Sequence, residues 1–372
     1  MKIEKLSSSS KLVTASYEAK PFTPSISTTI PLSPFDRAAG NFHISSIYAY
    51  KAPTPSNSAI EHGLRLALAM ASCTLDEASP LKLTPQLCDL HPSDEGTEEL
   101  MQVQLTRFMC GSLVVGFTSN HLIADGKATG TFLLACGQAT CGLTDYPVPI
   151  HDRAVVKPHD PFSIEFDHLG KEYMEKRLVK EVPWEEMVSQ VRVEKTQFSP
   201  DVLAKLKAPA TVRCPSGRDY STFESLIFHL WQKVTQAHGM GEEETSQLCI
   251  LINVRTHVVP PIAHGYFGNM VLWVFPRATV RELLSQPLDR VAEVVHAAIA
   301  QVNDRYARSF VDFDVGVERD GRWSELVATG DLDSTGIMVI VPAMYGTGGI
   351  EVYISLFESN RAVFQEIYHT ID

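Results

Sequence analysis

The stretch "SNHLIADGKATG" at 119–130 decides the fold, because it places an imidazole and a carboxylate four residues apart directly after an apolar run. The run "GSLVVGF" at 111–117 predicts a buried strand, and "GKATGTFLLACGQATCG" after Asp125 has apolar residues at helical spacing up to Gly142. A strand that ends in a loop at a helix N-terminus is where α/β folds expose reactive groups. We therefore expect His121 and Asp125 to lie on such a loop.

Three roles are open for the pair. His121, with a pKa near about 6.5, could act as a general base whose ring or loop Asp125 holds. Chance alone gives about 0.7 such HxxxD matches in a chain of this composition and about 0.04 with the following glycine, so the pattern is suggestive. A metal site needs further ligands, and no HxxH, HExxH or paired cysteine supplies them. A purely structural strand end and helix cap remains about as probable as the catalytic role from these residues alone.

Composition excludes some classes of partner. The chain has 372 residues, enough for two domains, and 32 Lys and Arg against 44 Asp and Glu with no basic stripe, so nucleic acid is not an expected partner. No apolar leader and no uncharged run of about 18 residues is present, which predicts a cytoplasmic protein without membrane contact. Seven cysteines without a CxxC pair argue against a disulfide framework.

Strands and helices alternate along the chain and predict two α/β layers that face each other. The most distinct helix starts at a capping box of Ser221 and Glu224, stops at Gly239 and should bury Phe223 together with other apolar residues. Strands are expected at 11–17, 41–53, 191–198, 336–342 and 350–357, a hairpin around Cys110 and Gly111, helices at 57–72, 200–210 and 359–371, and one long helix over 282–313.

Several stretches resemble the plant BAHD acyltransferases, which use CoA thioesters. "HLIADG" at 121–126 is similar to the HxxxDG motif of that family, and "GYFGN" at 265–269 to its second-domain signature. "STFESLIFHLW" at 221–231 and "LINVRTHVVPPI" at 251–262 stand in the expected order. The stretches at 78–101 and 105–132 are most similar to the grass members that acylate agmatine, putrescine or tryptamine with hydroxycinnamoyl groups.

The resemblance implies an α/β fold of two chloramphenicol-acetyltransferase-like domains, each a mixed sheet with flanking helices, with a tunnel at their interface. We expect an N-terminal domain over 1–185, a crossover over 186–210 and a C-terminal domain over 211–372. His121 would be the general base, supported by Asp125, Gly126 and Arg255, with no metal. The implied function is N-acyl transfer from hydroxycinnamoyl-CoA to an amine, yielding the phenolamides of plant secondary metabolism. Since nothing in the sequence points to a flavin or an oligomer, we expect a monomer with no bound cofactor.

The chain departs from the family pattern at two places. "LVATGDLDS" at 326–334 runs directly into the strand at 336–342, so a segment of roughly 40 residues that ends in a DFGWG-like motif and carries oxyanion donors is missing. A second gap follows residue 72, where the strands around a WAGRL-like stretch are absent. The loss of strands should expose sheet edges. Two alternatives therefore stay open: a catalytically impaired remnant that binds CoA esters or partners, and an O-acyltransferase that acts on an alcohol.

The candidate site for CoA is the start of the helix at Ser221 and Thr222, where free backbone N–H groups could donate hydrogen bonds to a phosphate beside Arg218. An ordinary capping box is the competing and slightly favoured interpretation. The glycines of "YGTGGIE" at 345–351 predict a hairpin turn, since no Lys, Ser or Thr follows at phosphate-loop spacing. His229 and His264 are expected to be structural.

Overall fold

The structure is a computed structural model that describes residues 31–71, 100–143, 149–176, 189–207, 220–286, 288–328, 337–343 and 348–371. In chain order its helices and strands are α1 (Pro34–Ala39), β1 (His43–Tyr50), α2 (Asn57–Ala71), β2 (Met101–Arg107), β3 (Leu113–Asn120), α3 (Gly126–Thr140), β4 (Tyr173–Glu175), β5 (Val191–Phe198), α4 (Pro200–Lys207), α5 (Thr222–His238), β6 (Thr245–Gln247), β7 (Ile250–Asn253), β8 (Val271–Val274), β9 (Arg277–Thr279), α6 (Val280–Ser285), α7 (Leu288–Gln301), α8 (Asp304–Arg319), β10 (Leu326–Ala328), β11 (Met338–Pro342), β12 (Ile350–Phe357) and α9 (Glu358–Ile367). No helix among these ranges is long and apolar enough to span a membrane.

Two antiparallel three-stranded sheets organise the two halves of the chain. The N-terminal sheet has the order β1-β3-β2, and the pairing of His43 with Asn120 brings the start of β1 beside the end of β3. The C-terminal sheet has the order β11-β12-β5, so the hairpin predicted at 345–351 joins paired strands. The remaining strands form two-stranded pairs: β4 with β10, β6 with β9, and β7 with β8.

The segment that carries the opening motif folds as predicted. β2 and β3 form a hairpin whose turn contains Gly111 at φ 81°, a left-handed conformation that glycine adopts without a steric penalty. β3 ends at Asn120, and α3 begins at Gly126. The residues between them form a short loop that connects a buried strand to a helix N-terminus.

The capping box of α5 is confirmed, but the helix buries one apolar residue fewer than predicted. Ser221 and Glu224 each accept a hydrogen bond from the other's backbone N–H, and Gly239 ends the helix at φ 63°. Leu226, Ile227, Leu230 and Trp231 are buried, whereas Phe223 in the first turn is 42% exposed. Phe223 therefore points away from the core, although Glu224 and Ser225 in the same turn are buried.

The single long helix predicted over 282–313 is wrong, because the structure has three helices there. α6 ends at Ser285 directly before Gln286 and Pro287, and proline has no amide hydrogen to continue a helix. α7 ends at Gln301, and Asn303 then caps α8 by accepting a hydrogen bond from the backbone N–H of Tyr306 at 3.2 Å. Apolar periodicity continued through both breaks and concealed them.

The edge strand β1 carries exposed apolar side chains, as expected if strands beside it are missing. Ile44, Tyr48 and Tyr50 alternate along β1 and are 43%, 38% and 51% exposed. β1 pairs only with β3 within the described ranges. The strand predicted at 11–17 and the first junction, at 73–80, lie outside the described residues, as does most of the second junction.

The segment 265–269 connects the two halves of the molecule. Phe267 packs in the N-terminal core beside Phe132, with their ring centroids 6.5 Å apart, although it precedes β8 in the C-terminal half. Its backbone N–H donates to Ile150 O at 3.0 Å, and Ile150 N–H donates to Gly265 O at 2.8 Å. This crossing places the residues after Phe267 directly against the loop between β3 and α3.

Candidate active site

His121 is the first residue after β3, and it is partly exposed. Its backbone N–H donates to Phe42 O at 2.8 Å, and its ring lies against the Phe42 ring with a centroid distance of 5.2 Å. The Nδ1 atom is buried and has no hydrogen-bond partner among the described residues. The residue is therefore partly exposed as a whole, while one of the two ring nitrogens is shielded from solvent.

The surroundings of His121 favour its neutral form. Burial lowers the pKa of His121 below its ordinary value of 6.5, because charge is disfavoured away from water. The peptide carbonyl of His121, the Asp125 carboxylate, the Asn269 side chain and the Asp36 carboxylate offset part of that effect on the pKa. At pH 7 the imidazole is consequently unprotonated, which is the state in which it can accept a proton.

Asp125 is buried, and its carboxylate is fully occupied by donors other than the imidazole. Oδ1 accepts from Ala128 N–H at 2.9 Å and thereby caps α3, and it also accepts from Arg255 Nη2 at 3.1 Å. Oδ2 accepts from Arg255 Nη1 at 2.7 Å and from Met270 N–H at 2.9 Å. The structure thus brings Asp125 and Arg255 together in a two-pronged ion pair that joins the loop to the C-terminal half.

Arg255 lies in the short 3₁₀ turn after β7, and it binds more than Asp125. Its Nη2 also donates to Gly268 O at 2.7 Å, and its guanidinium lies over the Tyr266 ring at 5.5 Å. Gly126 is different, because a Cβ built there would meet no heavy atom within 4 Å. The structure shows no steric requirement for a glycine at 126.

A second buried ion pair, which the sequence analysis missed, lies on the other side of the loop. Asp36 in α1 is fully buried, and its Oδ1 accepts from Arg153 Nη1 at 3.2 Å and from both the backbone N–H and side-chain amide of Asn269 at 3.0 and 2.9 Å. Arg153 Nη2 also donates to Ile123 O at 3.1 Å. The capping signature of Ser33 and Asp36 is visible in the sequence, but its partners are 117 and 233 residues away.

Gly268 has a steric role at this junction. A Cβ at position 268 would lie 1.6 Å from Arg153 Nη1 and 2.7 Å from the Tyr266 hydroxyl oxygen. Arg153 is almost completely buried and is held by Asp36 and by the loop, so its guanidinium has little room to move. Only a glycine fits at 268 without displacing it.

The predicted CoA site lies partly within the described residues. Ser221 caps α5, while Thr222 lines a cleft of about 320 Å³ together with Lys207, Leu203 and residues of β12 and its approach. Arg218 lies outside the described residues. Lys207 is the one charged residue that lines the described part of this cleft, and the N-terminus of a helix favours an anion.

Other polar clusters are structural. His168 bridges Glu172 and Ser309 at 3.0 Å each in an arrangement resembling a catalytic triad, but all three are fully buried and Ser309 Oγ already accepts two backbone N–H groups. His229 Nε2 lies 2.6 Å from Tyr368 O, and His264 is exposed in a loop. Within the described ranges, no three His, Cys, Asp or Glu side chains are arranged to hold a metal ion.

Comparisons with known proteins identify the family. A family model described as "Transferase family" matches residues 70–318. Agmatine coumaroyltransferase-1 of Hordeum vulgare is 33% identical over an alignment of 439 residues that covers 98% of this chain and 99% of the relative. The chain belongs to the BAHD acyltransferase family. Putrescine hydroxycinnamoyltransferase of Oryza sativa subsp. japonica is likewise 33% identical, with coverage of 98% and 99%.

Solved structures confirm the predicted fold of this BAHD member. Vinorine synthase superposes with a TM-score of 0.68 at 15% identity and covers 95% of each chain. TRI101 of F. graminearum, solved with coenzyme A and T-2 mycotoxin, gives a TM-score of 0.70 at 12% identity and covers 89% of this chain and 95% of its own. The α/β fold with two chloramphenicol-acetyltransferase-like domains is therefore shown, while the domain boundaries stay a prediction.

The length of the alignment agrees with missing internal segments in this BAHD chain. The alignment with the barley relative spans 439 positions, whereas the chain has 372 residues, so at least 67 positions have no counterpart here. The chain still covers both ends of that relative almost completely. The difference must therefore lie mainly inside the chain.

Proposed function

We propose that this acyltransferase moves a hydroxycinnamoyl group from its CoA thioester to an amine of the agmatine, putrescine or tryptamine type, with His121 as general base. The observation that carries the proposal is a partly exposed histidine, whose pKa is lowered by burial, on a loop that both halves of the molecule hold. Relatives at 32–33% identity are named for agmatine and putrescine as acceptors, which supports nitrogen rather than oxygen as the nucleophile.

The proposed acyl transfer requires one general base, placed next to the attacking nitrogen. The neutral amine nitrogen attacks the thioester carbonyl carbon, and the carbonyl oxygen becomes an oxyanion. His121 accepts the proton that the nitrogen loses as it becomes cationic. When the carbon–sulfur bond breaks, the CoA thiolate takes up a proton from the imidazolium, and an amide and free CoA remain. A base that is misplaced by about 1 Å can cost on the order of 100-fold in rate, so the fixed loop matters.

Asp125, Gly126 and Arg255 are assigned supporting roles in this proposal. Asp125 cannot act on the substrate with an unoccupied oxygen, because Ala128, Arg255 and Met270 donate to its carboxylate. Its role is to fix the loop and the start of α3. Gly126 follows it as the first residue of α3, where only backbone properties count.

Acyl-CoA is proposed to bind with a phosphate near Ser221 and Thr222, with Lys207 as the cationic partner within the described cleft. TRI101, which has the same fold, was solved with coenzyme A, and this supports a CoA-type co-substrate. We expect a cytoplasmic monomer with no bound cofactor. The negative net charge of −12 does not oppose a cationic amine.

The test of the function is product formation from defined substrates. Purified protein is incubated with coumaroyl-CoA and, separately, agmatine, putrescine, tryptamine and shikimate, and products are identified by mass spectrometry. The proposal predicts amides with at least one amine and little ester with shikimate. Ester formation alone would identify an O-acyltransferase, and no product with any acceptor would identify a remnant that has lost turnover.

The CoA site has its own test. Lys207→Ala should raise the KM for coumaroyl-CoA several-fold and leave the KM for the amine unchanged, because Lys207 lines the cleft and its charge would be lost. Lys205→Ala is the matched control, since Lys205 is an exposed lysine of the same helix and does not line the cleft. Equal KM values for both variants would place the phosphate elsewhere.

A further inference from the structure

Asn269 connects the base-bearing loop to the buried Asp36 carboxylate through one side-chain amide. Its Nδ2 donates to His121 O at 2.7 Å and to Asp36 Oδ1 at 2.9 Å. Its backbone N–H also donates to Asp36 Oδ1, at 3.0 Å. Asn269 and Asp36 are both fully buried, so these donors and acceptors have no water to replace a lost partner.

The orientation of His121 has no side-chain support from Asp125. In a Ser–His–Asp triad the carboxylate binds Nδ1 of the base and fixes the ring. Here both oxygens of Asp125 are taken by other donors, and Nδ1 of His121 is buried without a hydrogen-bond partner among the described residues. The ring is therefore held by its packing against the Phe42 ring and through the main chain of its own residue.

Two contacts fix that main chain from opposite directions. The His121 N–H donates to Phe42 O at 2.8 Å on the N-terminal side, and the His121 carbonyl accepts from Asn269 on the C-terminal side. Removing either contact takes away one of the two hydrogen bonds that restrain the His121 peptide groups. Of these two, only the Asn269 contact comes from a side chain and can be removed by substitution.

We propose that Asn269 is a positioning residue for His121: its amide ties the His121 peptide carbonyl to the Asp36–Arg153 pair and so sets where the imidazole points. The kinetic consequence rests on the proposed function, since it needs His121 to act as the base. The geometric claim does not, because ring placement can be measured in the resting protein.

Asn269→Ala is the primary variant, and Ser309→Ala is its matched control. Ser309 is equally buried, accepts from the backbone N–H groups of Glu165 and Phe166 and bonds the His168 ring, but none of these hydrogen bonds reaches the loop. Both variants lose buried hydrogen bonds that are worth about 1–3 kcal/mol. They should therefore lose similar thermal stability and differ only at His121.

The first readout is NMR of histidine-labelled protein, with the His121 signal assigned by its absence in His121→Ala. Asn269→Ala should move the His121 ring signals and lower its titration midpoint, because the amide raises the pKa of this imidazole. Ser309→Ala should leave both unchanged. An unmoved His121 signal in a folded Asn269→Ala protein would overturn the proposal, whether or not the wild type turns over substrate.

The second readout separates kcat from KM. Displacing the base should lower kcat on the order of 10- to 100-fold and leave the KM for coumaroyl-CoA within about threefold. Ser309→Ala should retain its kcat. Equal kcat values for wild type and Asn269→Ala would reject the positioning role.

If Asn269→Ala does not fold, Asp36→Asn decides the question. This variant keeps the side-chain volume and weakens the anchor of the same amide from its other end. Because the Asp36 charge itself raises the pKa of His121, this comparison uses the ring signals of the neutral imidazole at high pH and not the titration midpoint. A smaller displacement of these signals in the same direction supports the proposal, and no displacement rejects it. An inert wild type would refute the proposed function, yet the NMR comparison would still judge Asn269.

Discussion

Breaking the ion pair between Asp125 and Arg255 should cost more stability than any surface substitution. The two side chains are 1% and 7% exposed, and their closest approach is 2.7 Å. Asp125→Asn keeps a side chain that can still cap α3, and Arg255→Met keeps most of the apolar stem. Each variant therefore removes the charge interaction with little change in packing.

The magnitude follows from burial. A single break leaves the other charge without a counter-ion away from water, which costs about 3–5 kcal/mol. At about 2.1 cal/mol/K per residue, a chain of 372 residues unfolds with an entropy near 0.8 kcal/mol/K, so each variant should lose about 4–6 °C in Tm. The double variant should be more stable than the sum of the two losses implies, by about 1–3 kcal/mol, because it leaves no lone charge.

Thermal unfolding followed by tryptophan fluorescence measures all four proteins. Arg281→Ala is the control for loss of an arginine, because Arg281 pairs with Glu242 at 2.9 Å on the surface and such pairs contribute at most about 1 kcal/mol. Its Tm should change by no more than about 1 °C. Strict additivity in the double variant, or an Arg255→Met loss no larger than that of Arg281→Ala, would refute the argument from burial.

Two further predictions concern the same junction. Gly268→Ala should lower the free energy of unfolding by about 1–3 kcal/mol and reduce turnover, because its Cβ displaces Arg153. Gly130→Ala, at an exposed helical site with open space, should raise the free energy of unfolding by about 0.5–1 kcal/mol. Thermal unfolding of both variants measures these changes, and equal effects would contradict the prediction. His121 should titrate below pH 6.5 by NMR, since burial lowers its pKa, so its neutral form should dominate throughout the range above that pH; a midpoint at or above 6.5 would contradict the described environment.

The sequence predicted the parts of the fold that depend on local signals. The end of β3, the loop and the start of α3 followed from an apolar run, a capping residue and helical spacing within 30 residues. The capping box of α5 was equally local. The prediction of one long helix was wrong for the same reason, because the apolar periodicity continues past Pro287 and Asn303, where the helices end or begin.

The supports of the candidate base could be predicted only in part. Asp125 and Arg255 were both expected to support His121 through the family resemblance, and the structure places the two in contact. Asp36 and Arg153 gave no such signal, because their contacts join residues 117 positions apart and depend on how two halves of the chain pack. Asn269 stood in a quoted motif, but its link to the His121 carbonyl needs three-dimensional geometry.

The most direct measurement is amide formation by wild type and His121→Ala, compared at saturating coumaroyl-CoA and one amine, together with the release of free CoA thiol. If His121 removes the proton from the attacking nitrogen, the wild type forms one amide per thiol released and the variant is about 10²- to 10⁴-fold slower. Equal rates in a variant whose Tm matches that of the wild type would contradict the account, and so would thiol release without amide.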